Sequence, residues 1–217
     1  MGSAGCLRKL TLVCTEHREN GLCNEDGLMS ILKAIDPDVI FEEARPSDSL
    51  STLEAKTIDR YLESRSARRV PIDSFVMPEN FRRDAYIMED YVNSKNIEYR
   101  ELMTEINQKI HQFGYPYLNG SEFEAASNKE RELFEKTIAM SGDDTLVKTL
   151  MTWNDLIRKR EDSMVENVYD FCRKSSFIEG VFLVGAAHKS SIVSNIEGRI
   201  NAEPNLIHWN IGKLPVI

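Results

Sequence analysis

The stretch from Lys9 to Phe41 limits the possible folds more than any other part of the chain. An apolar, β-branched run, KLTLVC, is followed by EDGLMSILKAI and then by a second apolar run, PDVIF. The middle piece sets Leu28, Ile31, Leu32 and Ile35 at helical spacing on one face. Strand, helix and strand in that order favour a parallel sheet, since the helix carries the chain back to begin the next strand in the same direction. STLEAKTIDRYLES (Ser51 to Ser64) reads as the next helix, opening at a Ser or Thr cap with Glu54 placed for a capping box. RVPIDSF (Arg69 to Phe75) reads as a third strand, and its Pro71 assigns it to a sheet edge or a strand end.

From about Glu79 to Asp155 the pattern changes. AYIMEDYVNS, ELMTEINQKIHQFG and KERELFEKTIAM are charged and helical in spacing, broken by YPYLNGS. Residues 79–150 are therefore expected to form a helical insertion or subdomain within a single α/β domain spanning 1–217. A long helix (Thr152 to Arg173), a strand (Gly180 to Val184), a helix (Ser190 to Ile200) and a last strand (Asn205 to Ile211) complete the expected order. The fold class predicted is α/β, with a central, mostly parallel sheet flanked by helices.

Composition narrows the function classes. The chain has 27 Lys and Arg against 35 Asp and Glu, a formal charge of -8 that repels phosphate backbones and anionic lipid. Nucleic acid and membrane surfaces are thus not expected partners. Apolar runs such as VFLVGAA fall well short of the ~20 residues a membrane helix needs, and MGSAGCLRKLTLVC lacks a full signal-peptide core, so a cytosolic protein is expected. Cys6, Cys14, Cys23 and Cys172 show no CxxC spacing and are read as free thiols, with Cys14 and Cys172 on apolar faces.

In open parallel sheets ligands bind beyond the carboxyl ends of the strands, so polar residues that directly follow apolar runs are the candidate site. The first strand delivers Glu16 and His17 (VCTEHREN), the second Glu42 and Glu43 (VIFEEARP), and a late strand His188 (VFLVGAAHKSS). Gly185 before that histidine leaves room for close approach. Side chains alternate along a strand, so only one of Glu42 and Glu43 can face the cleft, and Glu42 is the expected one. Two histidines and a carboxylate at one sheet edge can serve as a general base with its orienting partner or as a metal site. In TWNDLIRKREDSMVENVYDFC the apolar series Trp153, Ile157, Met164, Val168 and Phe171 is completed by Arg160. A cation on a buried face requires a carboxylate or an anionic ligand, and Asp73, ending VPID, is a candidate partner.

Taken in order, TEH (His17), DVIFEE (Glu42), VPID (Asp73), REDSM (Arg160 to Met164) and GAAH (Gly185 to His188) resemble the TraB/TIKI superfamily, which also includes the erythromycin-esterase-like and ChaN-like proteins. The similarity covers about residues 8–75 and 150–211 and leaves the middle unmatched. It implies a mixed α/β core with a cleft lined by two histidines, a glutamate and an arginine, and membership alongside metal-dependent peptidases, antibiotic esterases and haem binders. Carried over, His17, Glu42 and His188 take the active-site positions, Arg160 the helix arginine, and Glu54 a glutamate of the helix after the second strand. Cys14 stands where the family often has glycine, and Glu161 follows Arg160 where Asn or Asp is usual.

The expected function is hydrolysis of an ester, amide or peptide bond in a small-molecule or peptide substrate. One of His17 and His188, with Glu42 or a divalent ion (Mn, Co or Zn) held by His17, Glu42 and His188, would activate water, while Arg160 stabilises developing negative charge. Glu16, Glu43, Glu54, Asp73 and Gly185 would contact substrate or support these groups. The alternative is a non-catalytic module binding a small molecule or haem in the same cleft. A third reading makes the middle segment a homodimer surface, with Tyr86, Tyr91, Phe113, Tyr115, Tyr117 and Phe134 as a contact patch or as the insertion's own core.

Overall fold

The computed structural model describes residues 8–44 and 52–215. Cys6 and Ser51 lie outside them. Five strands, β1 (Arg8–Thr15), β2 (Val39–Glu42), β3 (Arg68–Pro71), β4 (Glu179–Gly185) and β5 (Ile207–Asn210), form one sheet in the order β3-β2-β4-β1-β5. Every pairing is parallel. The late strand β4 is inserted between β1 and β2, so the carboxyl ends of β2, β4 and β1 lie side by side. Thr15 sits directly across from Gly185, and Glu42 across from Leu183. The three strand ends that deliver the candidate residues are thereby neighbours, and β3 with its Pro71 is an edge.

Helix α1 (Glu25–Ile35) buries Leu28, Met29, Ile31 and Leu32 and starts where the Asn24 side chain accepts from the Gly27 N–H. Helix α2 (Leu53–Leu62) is capped by Thr52, whose hydroxyl accepts from the Ala55 N–H. The capping box expected of Glu54 is corrected: with Thr52 as cap, Glu54 falls one position too early, and its carboxylate turns instead to Thr15 and His17. Five further helices follow: α3 (Phe81–Lys95), α4 (Ile97–Phe113), α5 (Tyr115–Asn119), α6 (Ser121–Ala139) and α7 (Asp144–Lys174). YPYLNGS, which reads as a break, holds the short helix α5. The long helix begins eight residues before the expected Thr152, at an Asp143 cap whose carboxylate accepts from the Thr145 and Leu146 N–H groups. Helix α8 (Lys189–Ala202) leads from β4 to β5.

The main core packs both faces of the sheet and includes Ile106, Ile110, Tyr115, Tyr117, Leu118 and Phe123 from α4, α5 and α6. A second, smaller cluster of Met88, Val92, Tyr99, Ile138, Leu146 and Leu150 joins α3, α4, α6 and the first half of α7. Of the six middle-segment aromatics, Tyr115 and Tyr117 are in the main core, and Tyr91 and Phe134 pack against the second cluster. Tyr86 and Phe113 are exposed.

Strand β5 pairs only with Arg8 to Thr11 of β1, which leaves the far end of β1 without a strand on that side. Asn119, at the end of α5, fills the place. Its side-chain oxygen accepts the Cys14 N–H at 2.8 Å and its amide donates to the Cys14 carbonyl at 3.1 Å. One side-chain amide thus supplies the pair of hydrogen bonds a sixth strand would have made. Buried Lys189, the first residue of α8, donates from Nζ to the Asn119 and Gly120 carbonyls at 3.1 and 2.9 Å. There a cation meets the carboxyl end of α5. Among the described residues no helix is long and apolar enough to cross a membrane. Cys14, Cys23 and Cys172 are free and buried, and burial pushes each thiol up to about 12.

Candidate active site

Two linked groups of side chains occupy the adjoining strand ends. The first is built on β1 and α2. His17 lies two residues past the end of β1, and its carbonyl accepts the Leu53 N–H at 3.0 Å, satisfying one of the free donors at the start of α2. Its Nδ1 faces Glu54 Oε1 at 3.1 Å. The same oxygen accepts the Thr15 hydroxyl at 2.6 Å. Glu54 is buried while the His17 side chain is 52 % exposed, so the carboxylate fixes one ring nitrogen and leaves the other open. The Glu54 hydrogen bond, working against burial, raises the His17 pKa above its ordinary value. Beside it Glu16 is held above the usual carboxylate range, by burial first, with His17 opposing and Glu54 adding to the effect.

The second group is built on β2, β4 and α7. Arg160 donates to Glu43 Oε1 at 2.5 Å and through Nε to Asp73 Oδ2 at 3.1 Å. The partly buried arginine therefore meets two carboxylates. Its Nη1 lies 3.2 Å from His188 Nε2, which in turn is 3.3 Å from Glu43 Oε1. His188 Nδ1 is 2.7 Å from Glu161 Oε1. Burial alone would lower the His188 pKa, but hydrogen bonds to Glu161 and Glu43 overcome it and raise the ring to about 9. Glu43 shows the reverse balance: burial would raise it, yet the His188 hydrogen bond, with the charges of His188, Arg160 and His17, holds it far below the usual range. The group sets the His188 ring and the Arg160 guanidinium among the side chains of Glu43, Asp73 and Glu161.

Gly185 joins the two groups. Its N–H donates to Glu43 Oε2 at 2.7 Å. A Cβ there would lie 3.2 Å from both Glu43 Oε2 and His17 Nε2. With no side chain to separate them, the exposed imidazole and the carboxylate face each other across a bare α carbon.

One expectation is corrected. Glu42 does not turn into the cleft: its carboxylate receives two hydrogen bonds from Arg69, at 2.6 and 2.9 Å, and Arg69 also reaches Asp59 of α2. Strand alternation separates the two glutamates. Phe41 packs edge-on against Phe171 of α7, so Glu43, two residues on, faces α7 and Arg160, and Glu42 faces α2. The structure brings together His17, Glu43, Glu54, Asp73, Arg160, Gly185 and His188, with Glu16 beside them, and leaves Glu42 out.

A divalent ion held by His17, Glu42 and His188 does not fit this arrangement. Glu42 is committed to Arg69, and both ring nitrogens of His188 face partners within 3.3 Å. Among the described residues no group of three or more His, Cys, Asp or Glu side chains is arranged to hold an ion. Glu161, which motif reading notes only as a departure beside Arg160, is the residue that fixes His188. The signal available for it is its place beside Arg160 on a helix whose buried stripe it extends. No protein-family model, curated protein or solved structure gives a significant match to the chain, so the resemblance to the TraB/TIKI superfamily rests on the residues alone.

Proposed function

We propose that the protein is a hydrolase of the TraB/TIKI and erythromycin-esterase-like type, cleaving an ester, amide or peptide bond with water activated by His17. The observation that carries this reading is the His17–Glu54 pair, in which a buried carboxylate orients Nδ1 while Nε2 stays exposed opposite Glu43. Such a pair suits a general base: Glu54 holds the proton on Nδ1 and stabilises the imidazolium that forms once Nε2 takes a proton from water. Glu43, kept ionised by its surroundings, accepts the second hydrogen of that water and orients it. Arg160 and the His188 imidazolium hold Glu43 in place and offset the charge that builds on the carbonyl oxygen as water adds. The proton on Nε2 then passes to the leaving group.

The test is a screen of p-nitrophenyl esters and peptide p-nitroanilides with the purified wild type and four variants. His17→Ala, His188→Ala and Glu43→Gln are expected to lose at least 100-fold in kcat/KM, and Glu42→Gln less than 3-fold. Because Glu54 raises His17, the acid limb of the rate profile should have its midpoint above pH ~6.5, the ordinary histidine value, with activity rising as pH increases. Activity retained in both histidine variants would sink the assignment, and loss in Glu42→Gln with retention in Glu43→Gln would move the site to the other face of β2.

A further inference from the structure

Nothing in the backbone at position 185 calls for glycine. Its φ of -56° and ψ of 135° lie in the extended region open to every L residue, whereas Gly21 and Gly114 have positive φ and need glycine for that reason. Close packing of the fold does not call for it either. A Cβ at Gly180 would meet Leu10 Cδ1 at 2.8 Å, but at Gly185 the nearest atoms are Glu43 Oε2 and His17 Nε2 at 3.2 Å and His17 Cε1 at 3.4 Å. These are the outer ends of two side chains, which can shift by a few tenths of an ångström to admit a methyl group. What the missing Cβ leaves is a hollow about one atom wide, bordered by the open nitrogen of a half-exposed imidazole and by a carboxylate oxygen. The Gly185 N–H donates to that same oxygen at 2.7 Å, so the residue fixes one wall of the hollow and keeps its floor bare.

We infer that Gly185 is a positioning residue: the hollow over its α carbon is the place of the attacking water, held between His17 Nε2 and Glu43 Oε2, and no side chain is acylated on the way to product. The water's role as nucleophile rests on the hydrolase reading; the hollow and its two walls do not. An ordered water needs at least two polar partners, and here one accepts each of its hydrogens. In the attack the water oxygen bonds to the carbonyl carbon and one proton passes to Nε2. That proton moves on to the leaving group as its bond to carbon breaks, and the other hydrogen stays with the new carboxyl group. The Thr15 hydroxyl, next but one to the histidine, donates to Glu54 at 2.6 Å and sits on the Nδ1 side of the ring rather than at Nε2. A hydroxyl placed on the Gly185 α carbon through one methylene would stand where the water stands.

The test compares wild type, Gly185→Ala and Gly185→Ser on p-nitrophenyl acetate, with quenched samples mapped by peptide mass spectrometry. Gly185→Ala should unfold at nearly the wild-type urea concentration and lose at least 100-fold in kcat/KM, because a methyl group takes the water's place. In Gly185→Ser the new Oγ should attack the ester carbonyl, its proton passing to His17 Nε2 as p-nitrophenolate leaves. One equivalent of p-nitrophenol then appears in a burst, and an acetyl group stays at position 185 because the water that would remove it has been displaced. Adding His17→Ala should abolish that adduct, and wild type should carry no acetyl group whose formation depends on His17. A folded Gly185→Ala with activity within 3-fold of wild type, a folded Gly185→Ser that is not acylated at that position, or a His17-dependent adduct on wild type overturns the inference, the last whether or not the variants fold. Wild type inactive on every ester and anilide, with Gly185→Ser still acylated through His17, would keep the placement and remove the hydrolase reading; an active wild type with an equally active Gly185→Ala would do the opposite.

Discussion

His188 owes its state to Glu161, which the sequence marks only as a departure beside Arg160. Its pKa is raised because Glu161 and Glu43 bind the charged ring, and the sign of that shift fixes a stability profile. A histidine raised from 6.5 to about 9 contributes stability that is fully present below about pH 6.5 and is lost as pH climbs towards 9. Glu43, depressed by the same hydrogen bond, contributes above its ordinary value near pH 4.5 and loses that contribution in acid. The bond is one interaction seen from both ends, so it counts once. Urea unfolding across pH should therefore show a plateau from about pH 5 to 6.5 and a decline on the alkaline side, with the His188 Cε1 proton titrating near 9. Glu161→Gln should lower that midpoint by at least one pH unit and flatten the alkaline decline; an unchanged alkaline limb would show that Glu161 does not set the charge. Sequence reading reached Arg160 and Asp73, because a cation inside an apolar stripe demands a partner. The cleft-facing glutamate is not legible because VIFE is buried on both faces, and such a strand has no alternation from which to read which side is which.

At the scale of elements, the order of strands and helices at both ends of the chain was legible because each has an unambiguous period. The docking of α5 was not. YPYLNGS carries Pro, Gly and Asn, which signal a break, and nothing in its spacing reports that Asn119 will stand in for a strand on the edge of β1. That contact is between residues 105 positions apart, and a single-sequence pattern is blind to it. Its removal has a calculable consequence. Asn119→Leu keeps the branching of the side chain but leaves the buried Cys14 N–H and carbonyl without partners, at about 1–3 kcal/mol for each unsatisfied group. Urea unfolding should show a loss of about 2–6 kcal/mol, and amide exchange at Cys14 should speed up while exchange at Leu10, paired through β5, stays slow. Equal protection at Cys14 in both proteins would mean that α5 is not its partner in solution.

At the scale of the whole molecule, the expected boundary between sheet domain and helical insertion does not fall between elements. It runs through α7, whose Leu146 and Leu150 belong to the smaller cluster and whose Met164, Val165, Val168 and Tyr169 belong to the sheet core. It also divides α4, which lends Tyr99 to one cluster and Ile106 and Ile110 to the other. Among the described residues six buried side chains make up the smaller cluster, against the many that pack the sheet, so α3 with the ends of α4, α6 and α7 around it should open at lower free energy than the strands. Ile138 is fully buried there, and Ile138→Ala should destabilise by about 2–5 kcal/mol. Because that cost falls on the smaller cluster, hydrogen exchange in α3 should accelerate at denaturant concentrations that leave β1 and β4 protected. Exposed Val76, Tyr86 and Met151 surround this region, and proteolysis under native conditions should begin in residues 74–95. If α3 and β4 instead exchange together in Ile138→Ala, the long shared helix couples the two clusters into one cooperative unit. In that case the helices of the smaller cluster and the strand ends that hold His17 and His188 rise and fall in stability as a single body.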